Sequence, residues 1–485
     1  MSKFAALENY QGGRGQRYHL LPLRFTALDA DRYVLSNFVG EYYVLPKASA
    51  HDFFEHRLSP NSPMYDELKS RHFLMDDDSD VAIDLLALKT RTKYSRLPNF
   101  TGLHLFVVTL RCEHSCPYCQ VSRQNDDKAD FDMSVEYANL SLDLVFRSPS
   151  PNLKIEFQGG EPLLNFPLIQ HIINEAKRRN EIAKRNLGFV IATTLALISD
   201  EILSFCREHH VHISTSLDGP ADLHNRNRPR PGSDSYQKAI TGIERVRSAL
   251  GRDQVSAVMT TTSASLNCPI EIIDEYVARE FHGIFLRPLS PYGFAVKTKW
   301  FAAYDAQEWL DFYFKGLDYI INLNRQGLHF TEFYAATILA KMLTPFQPGY
   351  VDLMSPAGIG IGALVYNYDG SVYASDESRM LAEMGDQTFR LGTVRDSYET
   401  LIGSDALLDP IEASFAGSVP MCSTCTFEPY CGSDPVYHHA MQGDFVGHKA
   451  RSGFCQRNMS IFRGLISRME ADPETRQIFL RWANR

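Results

Sequence analysis

Short apolar runs recur along the middle of the chain, each followed by a segment whose apolar positions repeat at helical spacing. The runs 103–110 (LHLFVVTL), 153–157 (LKIEF), 188–193 (GFVIAT), 211–217 (VHISTSL), 255–260 (VSAVMT) and 283–289 (GIFLRPL) predict strands. Between them SVEYANLSLDLVF, PLIQHIINEAKRR, DEILSFCREHH, YQKAITGIERVRSAL and IEIIDEYVAREF predict helices, and AQEWLDFYFKGLDYIINL completes the last unit. This alternation predicts an α/β fold of parallel units, closed or partly closed into a six-unit, TIM-like barrel over 103–330. Ahead of it, RYHLLPLRFTALDADRYVLSNFVGEYYVLP predicts short strands with a turn at DAD, then HDFFEHRL and SPMYDELKSRHFL predict helices. Residues 1–85 thus form a small α+β module, 86–102 a linker, and 331–485 a C-terminal domain.

A length of 485 residues agrees with two or three domains. Hydrophobic residues at 44% and charged residues at 22% are ordinary for a globular chain. No apolar stretch reaches the roughly 18 residues that span a bilayer. The start, MSKFAALENYQGGRG, lacks the apolar core of a signal peptide, so a cytoplasmic location is expected. The net charge of −9 argues against nucleic-acid binding, and the basic run AKRRNEIAKRN reads as a solvated helix end.

Cysteine usage changes the picture. In a reducing compartment nine cysteines are a poor disulfide framework, and seven of them fall in two clusters. Cys112, Cys116 and Cys119 read C-x3-C-x2-C directly behind the first barrel strand. Three thiolates can hold a cluster and leave one iron open, or hold zinc with His114 as a fourth ligand. Cys422, Cys425 and Cys431 read C-x2-C-x5-C, and Cys455 follows. Four thiolates can close a [4Fe–4S] cluster or a zinc knuckle. His438, His439 and His448 lie between them and read as ordinary polar histidines, while Cys206 and Cys268 read as unligated. In parallel α/β folds chemistry gathers at the carboxyl ends of strands, where the cysteine loop, QGGEP (158–162) and SLDG (216–219) all fall.

C-x3-C-x2-C after the first strand with GGEP after the second resembles the radical S-adenosylmethionine (SAM) superfamily. The resemblance implies a [4Fe–4S] cluster on Cys112, Cys116 and Cys119 whose open iron chelates SAM, which is reductively cleaved to a 5′-deoxyadenosyl radical. It implies that Tyr118 packs near the adenine and that Gly159, Gly160 and Glu161 meet the SAM amino group. It further implies ribose and carboxylate contacts from Ser216 and Arg228, and an adenine contact from Leu286. Strand-end turn, loop arginine and core leucine are the plain alternatives for those three. The third strand ends TTLALIS, where many relatives of that superfamily carry TNG.

The C-terminal segment resembles the SPASM extension of peptide-modifying radical SAM enzymes, which holds two auxiliary clusters on seven cysteines. Here Pro435, Ser375 and the start of MSPAGIGIG stand where cysteines are expected. Those losses fall on one cluster, so a single auxiliary [4Fe–4S] cluster on Cys422, Cys425, Cys431 and Cys455 is implied. Asp376 stands where some relatives place a proton-accepting aspartate, the candidate catalytic residue. Residues 1–85 resemble the winged-helix modules that bind leader peptides, a structural cap on the barrel being the alternative. Together with GALVYNYDGSVYASDESRM, these features resemble the radical SAM maturases of the His-Xaa-Ser system, B type. That implies modification of a ribosomally made peptide or protein with His-Xaa-Ser repeats, an electron donor such as flavodoxin or ferredoxin, and a second maturase as a partner. A sulfatase-maturase-like or small-molecule radical SAM enzyme and a zinc-binding scaffold are the other readings.

Overall fold

The computed structural model describes residues 18–76, 81–124, 128–345 and 347–485; the first 17 residues of the expected N-terminal module lie outside them. Five parallel strands, Leu103–Thr109, Asn152–Gly159, Asn186–Thr193, His212–Ser216 and Val255–Val258, follow one another in order in one sheet. Their connecting helices are Val135–Arg147, Phe166–Ala183, Asp200–His209 and Ser235–Leu250. Ser134 and Ser199 cap two of these by accepting amide bonds from Tyr137 and Ile202, which fixes where the helices begin. The sixth expected strand differs. Only Gly283–Ile284 is extended, and it pairs with Thr331–Glu332 outside the main sheet. Glu332 explains the break, because its buried carboxylate accepts the Leu286 amide (3.1 Å) that a longer ladder would have used. The barrel is therefore partial.

On its other side the first strand pairs in parallel with Ala363–Tyr366, which continues through the antiparallel strands Ser371–Tyr373 and Arg390–Thr393. The C-terminal domain thus extends the barrel sheet rather than standing apart from it. Helices Phe333–Leu343, Gly453–Ala471 and Pro473–Ala483 close it, and their Ile338, Ile461, Phe462 and Phe479 belong to the same buried core as Phe106 and Ile155 of the barrel.

The N-terminal module has its own core of Tyr18, Leu35, Leu45, Phe53, Leu68 and Phe73. Its strands Leu23–Ala27, Arg32–Asn37 and Tyr42–Pro46 form an antiparallel sheet that leaves Tyr42–Pro46 at an edge. The expected linker begins inside a helix, Val81–Tyr94. The module docks on the loop that carries the C-terminal cysteines. Arg24 is ion-paired with Glu428 at 3.0 Å, both buried, and Tyr430 donates to Gly40 O at 2.9 Å. No helix among the described residues is long and apolar enough to cross a membrane.

Candidate functional site

The cysteine loop is gripped by backbone from three other strand ends. Gly160 N donates to Thr109 O (2.9 Å) and Glu161 N to Arg111 O (2.7 Å). A Cβ on Gly159 would lie 2.0 Å from Thr109 O, and one on Gly160 would lie 2.1 Å from Arg111 O, so only glycine admits the contact. Beyond the fourth strand, Pro229 O accepts from Ser115 N (2.7 Å). Beyond the short sixth strand, Phe294 N donates to Cys119 O (2.7 Å) and the Thr298 hydroxyl to Pro117 O (2.8 Å). Cys112, Cys116 and Cys119 are half-buried free thiols at the carboxyl ends of the strands. Burial pushes the Cys116 thiol up to about 12 and raises Cys112 as well, so thiolates here call for a positive partner.

A chain of polar contacts runs around this loop. His114 Nε2 lies 2.9 Å from Ser235 Oγ, which lies 3.1 Å from His224 Nε2, while Asp218 N donates to His224 Nδ1 (3.2 Å). In the other direction His114 Nδ1 meets Glu113 Oε1 (3.0 Å), and the Thr194 hydroxyl lies 2.7 Å from Glu113 Oε1 and 2.8 Å from Glu161 Oε2. Cys112, Glu113 and His114 present ligand atoms within 4.8 Å of one another. Both imidazole nitrogens are already engaged, so His114 does not stand free as a fourth zinc ligand. Glu161 is fully buried; burial, then the Glu113 charge, push its carboxyl up to about 7, and Thr193, Thr194 and the Leu163 amide hold it.

Tyr118 is buried and donates to Asp218 Oδ2 at 2.6 Å, with the Arg228 guanidinium 5.5 Å from its ring centroid. Arg228 Nε sits 3.2 Å from Asp218 Oδ1. The two are not aligned as a hydrogen bond, and both atoms lack one, as do the buried Thr215 Oγ1 and Asn227 Nδ2. Unsatisfied polar atoms of this kind, beside three free thiols, fit a bound polar molecule and a cluster. Cys112, Cys116 and Cys119 would hold the cluster, and Ser216 and Arg228 are half-buried at and beyond the end of the fourth strand. Leu286 sits differently, fully buried in the core with its amide spent on Glu332.

The four C-terminal thiols also converge. The charges of Cys425, Cys455 and Cys422 bear on Cys431, and those of Cys422, Cys431 and Cys455 bear on Lys449. Burial pushes Cys422 up to about 11 and raises the other three. His438 is buried and hydrogen-bonded to Asp434 O (2.8 Å), and His439 to Asp386 (2.7 Å), so both are structural. This donor set fits a closed cluster.

A small cavity is lined by Asp352, Glu377, Asp434, Arg287, Tyr350 and Arg457. Glu377 is two residues from Ser375, Asp434 adjoins Pro435, and Asp352 precedes Met354, so carboxylates flank the three positions that lack cysteines. Ser375 instead caps helix Asp376–Ala382. Asp376 opens that helix, 3.3 Å from Arg379, and its charge bears on Glu156 and Glu377. Burial and then the neighbouring carboxylates push Glu377 up to about 7 and Asp434 up to about 8. A carboxyl raised on folding stabilises the protein below its unfolded value, near 4.5, and that contribution is lost as pH rises through 7. Glu377→Gln should therefore flatten the fall in melting temperature between about pH 5 and 8 to roughly half the wild-type slope. Identical slopes in a thermal-melt series would contradict this electrostatic description.

Residues 106–263 match the family model of the Radical SAM superfamily. That stretch of the barrel resembles a radical SAM domain. Among curated relatives, the uncharacterized protein MJ0907 of Methanocaldococcus jannaschii is 28% identical over 36% of this chain and 57% of its own. The radical SAM cyclopropyl synthase TigE of Paramaledivibacter caminithermalis is 25% identical over 28% and 31%. The chain thus spans less than two thirds of the length of these two relatives. The cysteine-type anaerobic sulfatase-maturating enzyme of Clostridium novyi is 23% identical over 74% of this chain and 92% of its own. The solved structure of native anSMEcpe with bound AdoMet and Cp18Cys peptide superposes with TM-score 0.63 at 18% identity, covering 79% of this chain and 99% of that one. Streptococcus suis SuiB bound to precursor peptide SuiA superposes with TM-score 0.53 at 14% identity, covering 90% and 100%. These structures share the fold of the radical SAM domain and its extensions.

Sequence reasoning missed Glu113, Thr194, Asp218, His224 and Ser235. All but Ser235 lie on the cysteine loop or just beyond a strand end, where chemistry gathers, and that placement was the available signal.

Proposed function

We propose that this chain is a radical SAM maturase that modifies a ribosomally made peptide or protein, with a His-Xaa-Ser repeat protein as substrate. The observation that carries the reading is the free-thiol loop seated on paired glycines beside the unsatisfied Asp218–Arg228 pair. When bound, the cluster and SAM would supply a radical able to take hydrogen from an unreactive C–H bond. The residues supply the rest. Backbone from three strand ends orients the loop, Asp218 holds Tyr118 and Arg228, and the buried core beneath excludes water. Glu377 and Asp434, with raised affinity for protons, and Asp376 beside them are placed to accept a proton from the substrate.

The two peptide-bound neighbours support a peptide substrate. Recruitment is supported by the open edge of strand Tyr42–Pro46, which borders a 900 Å3 groove also lined by Leu88, Lys89 and Thr92 of helix Val81–Tyr94. A leader segment could add there as a fourth strand. One auxiliary [4Fe–4S] cluster on Cys422, Cys425, Cys431 and Cys455, a flavodoxin or ferredoxin donor, a second maturase and a cytoplasmic setting complete the reading. A sulfatase-maturase-like activity is the second reading, favoured by the long match to the Clostridium novyi enzyme.

Coexpression with a His-Xaa-Ser repeat protein tests the proposal by intact-mass spectrometry. A mass change on the repeat protein that vanishes with the Cys112→Ala, Cys116→Ala, Cys119→Ala variant is expected. An unmodified repeat protein alongside oxidation of a sulfatase-derived cysteine peptide would favour the second reading.

A further inference from the structure

Beneath the barrel, on the side away from the cysteine loop, lies a cavity of 610 Å3 bordered by Gly102, Asn152 and Lys154 at the amino ends of the first two strands. Lys93, Arg96, Lys154 and Lys341 line it, and its one lining carboxylate, Glu428, is already taken by Arg24 at 3.0 Å. Lys93 donates only to Phe38 O (3.3 Å) and Lys341 only to Leu353 O, both backbone acceptors. Among the described residues the side chains of Arg96 and Lys154 have no hydrogen bond or ion pair. Burial lowers the pKa of Lys93 and brings that of Lys341 down to about 7, so Arg96 and Lys154 carry most of the charge, in a chain whose net charge is −9, and Cys431 also lines the space. Lys93, Lys341 and Gln347 also line the 900 Å3 groove at the edge of strand Tyr42–Pro46, so the two spaces adjoin and together outline one trough.

We propose that this trough receives an extended, acidic segment of the peptide substrate, led from the open strand edge to the underside of the barrel. The proposal rests on the peptide-modifying reading above. The shape decides the occupant. Two adjoining concavities beside a strand edge that is unpaired among the described residues suit an extended chain, whereas a globular electron carrier would need a flatter face. Carboxylates of such a segment would find charge-assisted partners in Lys93, Arg96 and Lys154. That attraction weakens with salt.

Fluorescence anisotropy on the anaerobic holoprotein, without SAM, tests it with a fluorescein-labelled peptide alternating Glu and Val and its Lys–Val counterpart. The acidic peptide should bind and lose affinity with added salt, and the basic one should not bind. Lys93→Glu, Arg96→Glu and Lys154→Glu combined should weaken binding at least about tenfold, consistent with the loss of several charge-assisted contacts. Arg178→Glu, on the exposed helix Phe166–Ala183, should leave binding unchanged. Should the triple variant not fold, Lys154→Gln alone should still weaken binding measurably. Equal affinity for the two peptides, or wild-type affinity in a folded charge-reversed variant, would overturn the proposal. Failure of the wild type to cleave SAM would sink the maturase reading instead and leave the binding result standing.

Discussion

Gly160→Ala is expected to abolish SAM cleavage even though it adds one methyl group. That methyl would sit 2.1 Å from Arg111 O and 2.5 Å from Leu110 O, both backbone atoms that cannot rotate away. The amides on either side of the contact are committed, Gly160 N to Thr109 O and Glu161 N to Arg111 O, so the loop entering Cys112 must shift instead. A displacement of about 1 Å at a reacting centre costs on the order of 100-fold in rate, and loss of the cluster would cost more. Gly188→Ala is the matched control, because a Cβ there meets nothing within 4 Å. Anaerobic reconstitution followed by SAM-cleavage assays would check both. Cluster absorbance and turnover in Gly160→Ala equal to wild type would refute the role given to the paired glycines.

The second large effect is on iron content. If three thiols at the barrel and four in the C-terminal domain each hold a cluster, reconstituted protein should carry about eight irons at four per cluster. Alanine at Cys112, Cys116 and Cys119 should leave about four, held by Cys422, Cys425, Cys431 and Cys455. The positions that would carry a third cluster are taken by Ser375, a helix cap, and Pro435, with Asp352, Glu377 and Asp434 filling the space around Arg287. A reproducible content of about twelve irons would mean that these oxygen ligands are recruited. About four irons with one zinc would assign Cys422, Cys425, Cys431 and Cys455 to a structural zinc site.

Much of the barrel could be read from period alone. The helices at 135–147, 166–183, 200–209 and 235–250 announce themselves by apolar spacing, and the structure adds Ser134 and Ser199 as caps. The sixth strand could not, because GIFLRPL is apolar enough for a strand, and only tertiary context shows Glu332 taking its amide. Likewise Val81–Tyr94 was read as linker from position 86 because its apolar residues show no clear face, and none is buried. At the site, Cys112, Cys116, Cys119, Gly159 and Gly160 were legible because their chemistry is carried by spacing and by the absence of side chains. Asp218, His224 and Ser235 were not, since their role depends on meeting His114 and Arg228 across the fold. Leu286 was read as an adenine contact or a core leucine; its side chain is buried and its amide bonds Glu332.

The central claim, that the barrel cysteines serve SAM cleavage, has a direct measurement. Reconstituted protein is incubated anaerobically with SAM and dithionite, and 5′-deoxyadenosine is quantified by mass spectrometry against the Cys112→Ala, Cys116→Ala, Cys119→Ala variant. The account predicts 5′-deoxyadenosine from the wild type and none from the variant. Formation by the variant at the parent rate, or none from fully iron-loaded wild type, would contradict it.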